Sequence, residues 1–255
     1  MAETHQKQKA TTLAGLLKRI EIGDNLKRLC HEAGELANQI DPADIARAEQ
    51  TLIDSGYTPH SAHQLSTAFV FMGMYDQQTR QPQGQLPGNH ILRRITAEHD
   101  LFRCFNADLR DVTEDIVQHQ DLTDVSADFR TLVDTVRHLQ SMEDHMLRET
   151  DMIFPYLCRQ GYMPLCRAAE KDHVQLRRFL DDLMALVLSF NGMAFDDFQM
   201  QLASTVQRLC PLLEEHLAFE DGLLYPMALV VIDNEATWKT IKALCEQVGY
   251  GGVHH

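Results

Sequence analysis

The sequence predicts an all-α protein, an up-down antiparallel four-helix bundle preceded by a small helical domain. Three observations carry that expectation. Nothing in the 255 residues alternates with the two-residue period of a strand over a useful length. Four long segments in the second part of the chain carry apolar residues at helical spacing and are joined by short loops, which makes an antiparallel bundle the default. Ahead of them, shorter helical segments are closed off by a polar stretch with two Pro and two Gly.

In chain order, "TTLAGLLKRIEIGD" reads as a helix beginning after a Thr cap, and "NLKRLCHEAGELANQI" as the next one. In "DPADIARAEQTLIDSG", Asp41 is placed as N-cap, Pro42 at the first helical position and Gly56 as the stop. "SAHQLSTAFVFMGM" is a more apolar helix, and "DQQTRQPQGQLPGN" reads as a linker. The expected organisation is a helical domain over 1–80, a linker over 81–89 and a bundle over 90–255. Bundle helices are expected over 90–118, 127–159, 163–190 and 195–232, with a short C-terminal helix near 235–248.

Composition narrows the function classes. The formal charge is −14, from 37 acidic and 23 basic residues. With no Lys/Arg stripe, nucleic acid and anionic membrane are poor partners. No apolar run approaches the ~20 residues that cross a bilayer. The polar start "MAETHQKQKATT" lacks the apolar core of a signal peptide, so a cytoplasmic location is expected. Six cysteines without a CxxC pair suit reduced, packed thiols rather than a disulfide scaffold or a thiolate zinc site. The 13 histidines are many for this length.

Two of them open an internal repeat. "HMLRETDMIFP" starts at His145 and "HLAFEDGLLYP" at His216. Both read His, three residues, Glu, three residues, aliphatic, aromatic, Pro, and they fall on the second and fourth bundle helices. A helix advances ~100° per residue, so residues four apart share a face. On the fourth helix Leu209, Leu212, Leu213, His216, Glu220, Leu223 and Leu224 form one apolar sector, with His216 and Glu220 in its middle. A lone carboxylate buried there costs several kcal/mol unless a cation neutralises it.

That cation comes from another residue or from a metal. No Lys or Arg is an obvious partner, since Arg130, Arg137, Arg177, Arg178 and Arg208 fall mostly on polar positions. Imidazole and carboxylate suit a first-row metal, and His/Glu pairs on facing bundle helices build carboxylate-bridged di-iron centres. Such a centre asks for histidines on the other two helices. His99, in "RRITAEHDLFRCF", sits on the apolar flank of the first; His173, in "AAEKDHVQLRRFL", lies beside the stripe Ala169, Leu176, Leu180, Leu183 on the third. His119, His254 and His255 read as solvated. Phe154 and Tyr225 read as shields of the site.

These residues resemble the hemerythrin-like, or HHE cation-binding, domain over roughly residues 90 to 232. The motifs that carry the resemblance are the two H-x-x-x-E copies ending in "FP" or "YP", and the "EH" pair on the first helix. It implies His99, His145, His173 and His216 as iron ligands and Glu149 and Glu220 as bridging carboxylates. The cofactor implied is two non-haem Fe ions with an oxo or hydroxo bridge. Residues 11 to 75 resemble the small helical domain of unknown function that precedes such domains. The oxygen-carrying hemerythrins have two histidines one turn apart on the third helix; here Ala169 and Arg177 flank His173, and His90 is the nearest spare.

The expected function is binding or sensing of O2, NO or cellular redox state, with the N-terminal domain as a lid or a dock for a protein partner. The alternatives are a di-iron enzyme for iron-centre repair, NO reduction or O2/peroxide reduction, and a metal-free helical interaction protein. Zinc or manganese in place of iron stays open.

Overall fold

The computed structural model describes residues 2–24, 26–77, 86, 88–120, 126–160 and 162–248. The expected linker, apart from Leu86, Gly88 and Asn89, lies outside them, as do His254 and His255. Every described element is helical. They are α1 (Ala2–Glu21), α2 (Leu26–Ala37), α3 (Pro42–Asp54), α4 (Pro59–Gln77), α5 (Ile91–Gln118), α6 (Ser126–Gln140) and α7 (Met142–Arg148). A π-helical turn, Glu149–Ile153, leads into α8 (Phe154–Arg159), followed by α9 (Met163–Ser189) and a 3₁₀ turn, Phe190–Gly192. Then come α10 (Phe195–Phe219), a second π-helical turn at Glu220–Leu224, α11 (Tyr225–Val231) and α12 (Glu235–Val248). No described helix is long and apolar enough to cross a membrane.

The chain divides into two compact units. One comprises Met1–Gln85, Ile153–Ala169 and Phe219–Asp233; the other comprises Leu86–Met152, Glu170–Ala218 and Asn234–His255. In the first, α1 pairs with α3 and α2 with α4, burying Leu13, Leu17, Leu29, Leu52, Phe69 and Met72. Side chains of this size contribute roughly 1.5–3 kcal/mol each on full burial.

Local chemistry sets the ends of these helices. Asp41 caps α3: its side chain accepts the Asp44 N–H at 2.9 Å, while Asp44 accepts the Asp41 N–H at 3.3 Å. Gly56 ends that segment with φ +99°, a backbone that L side chains rarely adopt. The expected Thr cap does not start α1, which runs unbroken through Thr11 and Thr12. The Thr12 hydroxyl instead donates back to the Gln8 carbonyl at 3.0 Å, a bond made inside a continuing helix. Gly73 of α4 packs so closely on α2 that a Cβ there would lie 2.8 Å from the Ala37 Cβ.

The second unit is the bundle. Its core draws Phe102, Leu109, Val112 and Ile116 from α5 and Leu132, Val136, Leu139, Met142 and Met146 from α6 and α7. To these α9 adds Leu176, Leu180, Leu183, Leu186 and Val187, and α10 adds Phe198, Leu202, Val206, Leu209, Cys210, Leu213 and Leu217. The spacing of three and four along each helix is the amphipathic period that the sequence displays. The second bundle helix is not one rod: it breaks at Ser141 between α6 and α7 and widens at Glu149.

Candidate metal centre

Each copy of the repeat folds in the same way. His145 lies on α7 and Glu149 opens a π-helical turn; His216 lies on α10 and Glu220 opens the other. In the second copy the Tyr225 N–H donates to the Glu220 carbonyl, five residues back, which is the π-helical bond. A proline follows each turn, Pro155 within the first turn of α8 and Pro226 within that of α11. Proline has no N–H, and its ring collides with the carbonyl four residues back in a regular helix. The wider turn relieves that collision and lets the chain resume an α-helix after the glutamate.

The side chains that result are wholly inside the protein. His99, His145, Glu149, His216 and Glu220 have no exposed surface, and His173 has 1%. The Nε2 atoms of His99 and His145 are 3.2 Å apart, with the rings edge to face. Glu149 Oε2 lies 3.2 Å from His173 Nε2 and 3.6 Å from His145 Nε2. The His173 and His216 rings meet edge to face at 4.9 Å.

Two groups of donor atoms, each within 4.8 Å of one another, emerge: Glu149, His173, His216 and Glu220 form one, and His99, His145 and Glu220 the other. Donors bound at about 2.1 Å to one ion in adjacent positions stand about 3 Å apart, so the His99–His145 and Glu149–His173 separations suit a shared ion. Imidazole nitrogen and carboxylate oxygen are the donor set of first-row transition metals. The arrangement fits metal cations.

Sequence comparison agrees with that chemistry. The model of the hemerythrin HHE cation binding domain matches residues 90–228. The chain belongs to this family. A search of curated proteins finds no match.

Around the donors of this HHE domain lies an outer set that the repeat does not announce. His145 Nδ1 is 2.9 Å from Glu98 Oε2, and the same oxygen accepts a hydrogen bond from Arg148 Nη2. Arg148 has no exposed surface and Glu98 only 4%. Thr150 Oγ1 lies 3.4 Å from His173 Nδ1, and Asp172 Oδ2 lies 3.8 Å from His216 Nδ1. Polar partners thus stand at Nδ1 of three histidines, directing Nε2 of His145 and His173 inward.

The sequence reading missed Glu98 and Arg148 in this role. Their only signals are position: Glu98 is the acidic half of "EH", and Arg148 follows His145 by three residues, about one turn. Neither spacing distinguishes a buried pair from two solvated charges. The reading that bundle arginines fall mostly on polar positions does not extend to Arg148, which is buried and bonded to the Glu98 carboxylate on α5.

His90 belongs to neither donor group. It caps α5, its Nδ1 accepting the Leu92 N–H at 3.2 Å, and its ring lies 4.7 Å from that of Trp238. Burial lowers its pKa. His119 pairs with Asp128 at 2.8 Å. Arg177, one turn beyond His173, turns its Nε to Glu143 at 2.6 Å. Phe154 and Tyr225 are both buried. None of the six cysteines is disulfide-bonded, and burial pushes the Cys245 thiol up to about 11.

Proposed function

We propose that this HHE domain holds two iron ions in one non-haem centre, His99 and His145 on the first and His173 and His216 on the second. Glu149 and Glu220 bridge them, and the centre binds or senses O2, NO or redox state in the cytoplasm. One observation carries the reading. Glu220 enters both groups of donor atoms, with Glu149, His173 and His216 in one and with His99 and His145 in the other, so one carboxylate reaches histidines of both. Two donor groups joined by one carboxylate suit two neighbouring ions, as in the carboxylate-bridged centres of helix bundles.

Iron, when bound, would supply the electrons for taking up O2 or NO. The chain's own residues do the rest. Four imidazoles give neutral nitrogen donors, two carboxylates balance the charge, and Nδ1 contacts hold the rings in place. Burial keeps water away from the donors, which strengthens every electrostatic contact among them.

A second reading, a di-iron enzyme for iron-centre repair or for reducing NO, O2 or peroxide, draws support from the third helix. The position four after His173 holds Arg177, which is paired with Glu143, so it gives no second imidazole there and would leave room for a reactant.

The test is iron stoichiometry with the optical spectrum of the reduced protein before and after air. Two irons per chain and a new charge-transfer band are expected, and His216→Ala or Glu220→Ala should abolish both. A wild-type protein prepared without oxygen that holds no iron would sink the proposal. A stable, reversible adduct favours binding or sensing; decay of the adduct within one turnover favours the enzyme.

A further inference from the structure

We infer that Glu98 and Arg148 are positioning residues for one of the two ion positions: occupancy at His99–His145 depends on them, and occupancy at His173–His216 does not. The inference rests on the dinuclear reading above.

The contacts at Nδ1 of His145, His173 and His216 are unequal. His145 Nδ1 meets a carboxylate oxygen at 2.9 Å, and a guanidinium binds that same oxygen. His173 Nδ1 meets a hydroxyl at 3.4 Å, and His216 Nδ1 a carboxylate at 3.8 Å whose side chain is 24% exposed. Of these three contacts the first is the short, charge-assisted bond, and it lies in a site closed to water.

A carboxylate at Nδ1 keeps the ring proton there. The Nε2 lone pair then points inward and becomes more basic. The guanidinium binds the same Oε2 that meets His145 Nδ1 and so fixes the carboxylate in place. Chain position extends the effect, since Glu98 precedes His99 on α5 and Arg148 follows His145 by three residues on α7. The pair therefore braces both helices that supply the His99–His145 position. Glu98 Oε1 is buried with no hydrogen-bond partner, so the hold on this carboxylate runs through Oε2.

The experiment uses metal-free full-length protein titrated with Co2+ without oxygen, followed by visible absorption and calorimetry. The variant is Glu98→Leu with Arg148→Met, which removes both charges and keeps the volume, so that no lone charge stays buried. Wild type should take two Co2+. The double variant should bind one unchanged and the other 10–100-fold more weakly, the usual loss when an outer partner of a metal-bound histidine is removed. Thr150→Ala should leave the His99–His145 position unchanged.

A second readout needs no metal. Nitrogen NMR of the metal-free wild type should place the His145 proton on Nδ1, and the double variant should lose that preference. Glu98→Gln, which retains an acceptor oxygen, should restore it. Equal affinity at both positions in the double variant and wild type overturns the inference, as does equal weakening of both. If wild type takes a single Co2+, the dinuclear reading fails, and the inference is then decided by the tautomer: a His145 proton that stays on Nδ1 in the double variant overturns it.

Discussion

Arg148 is buried against Glu98, and their ion pair lies at Nδ1 of His145, apart from the two groups of donor atoms. A buried pair of this kind adds little against an apolar replacement, but half of it is costly. Arg148→Met alone should therefore destabilise the protein by about 3–5 kcal/mol, because it leaves the Glu98 carboxylate inside without its cation. Glu98→Leu with Arg148→Met should recover most of that loss. Urea melts of the two single variants and the double variant measure the coupling; simple additivity would show that the two side chains do not depend on each other.

Removing the metal should cost stability. Two carboxylates and four imidazoles converge without exposure, and without an ion the carboxylates bear their desolvation with less compensation. A ligand bound only by the folded chain stabilises it by about 4 kcal/mol at a thousandfold excess over Kd. Chelation should lower the melting temperature of protein prepared with iron, and iron returned without oxygen should restore it. An unchanged melt on complete metal removal would contradict this.

Acid should loosen the start of α5 through His90. The ring caps the helix only while Nδ1 is unprotonated, since it must accept the Leu92 N–H. Burial lowers the folded pKa below the unfolded value of about 6.5. The unfolded chain therefore takes up the proton first. The His90 contribution is complete above about pH 6.5 and is lost as pH falls through the folded value. A cap of this kind contributes about 1 kcal/mol. His90→Asn, which can cap at any of these pH values, should flatten that part of the stability profile; a profile identical to wild type would refute the role.

Thiol labelling should separate the cysteines by depth. Cys104 is exposed, while Cys245 is fully buried with its thiol pushed up to about 11. Little thiolate exists there at neutral pH, and the thiolate is the nucleophile. Native maleimide treatment followed by peptide mass analysis should find Cys104 modified early and Cys245 only after denaturation.

The sequence by itself determined the helices, because burying an apolar face every 3.6 residues leaves a pattern that needs no coordinates to see. It likewise singled out six candidate donors, His99, His145, Glu149, His173, His216 and Glu220, through a repeat and two isolated histidines on apolar flanks. All six enter the two donor groups. Only the structure showed that the helices widen into π-helical turns at Glu149 and Glu220, since the prolines that follow signal a disturbed helix without saying which turn absorbs it. It alone decided that Glu98 and Arg148 go inside. A charge is buried only when a neighbour from another helix meets it, and Glu98 on α5 meets Arg148 on α7 fifty positions later. Periodicity reports which face of a helix is apolar; it does not report which charges find each other across the bundle.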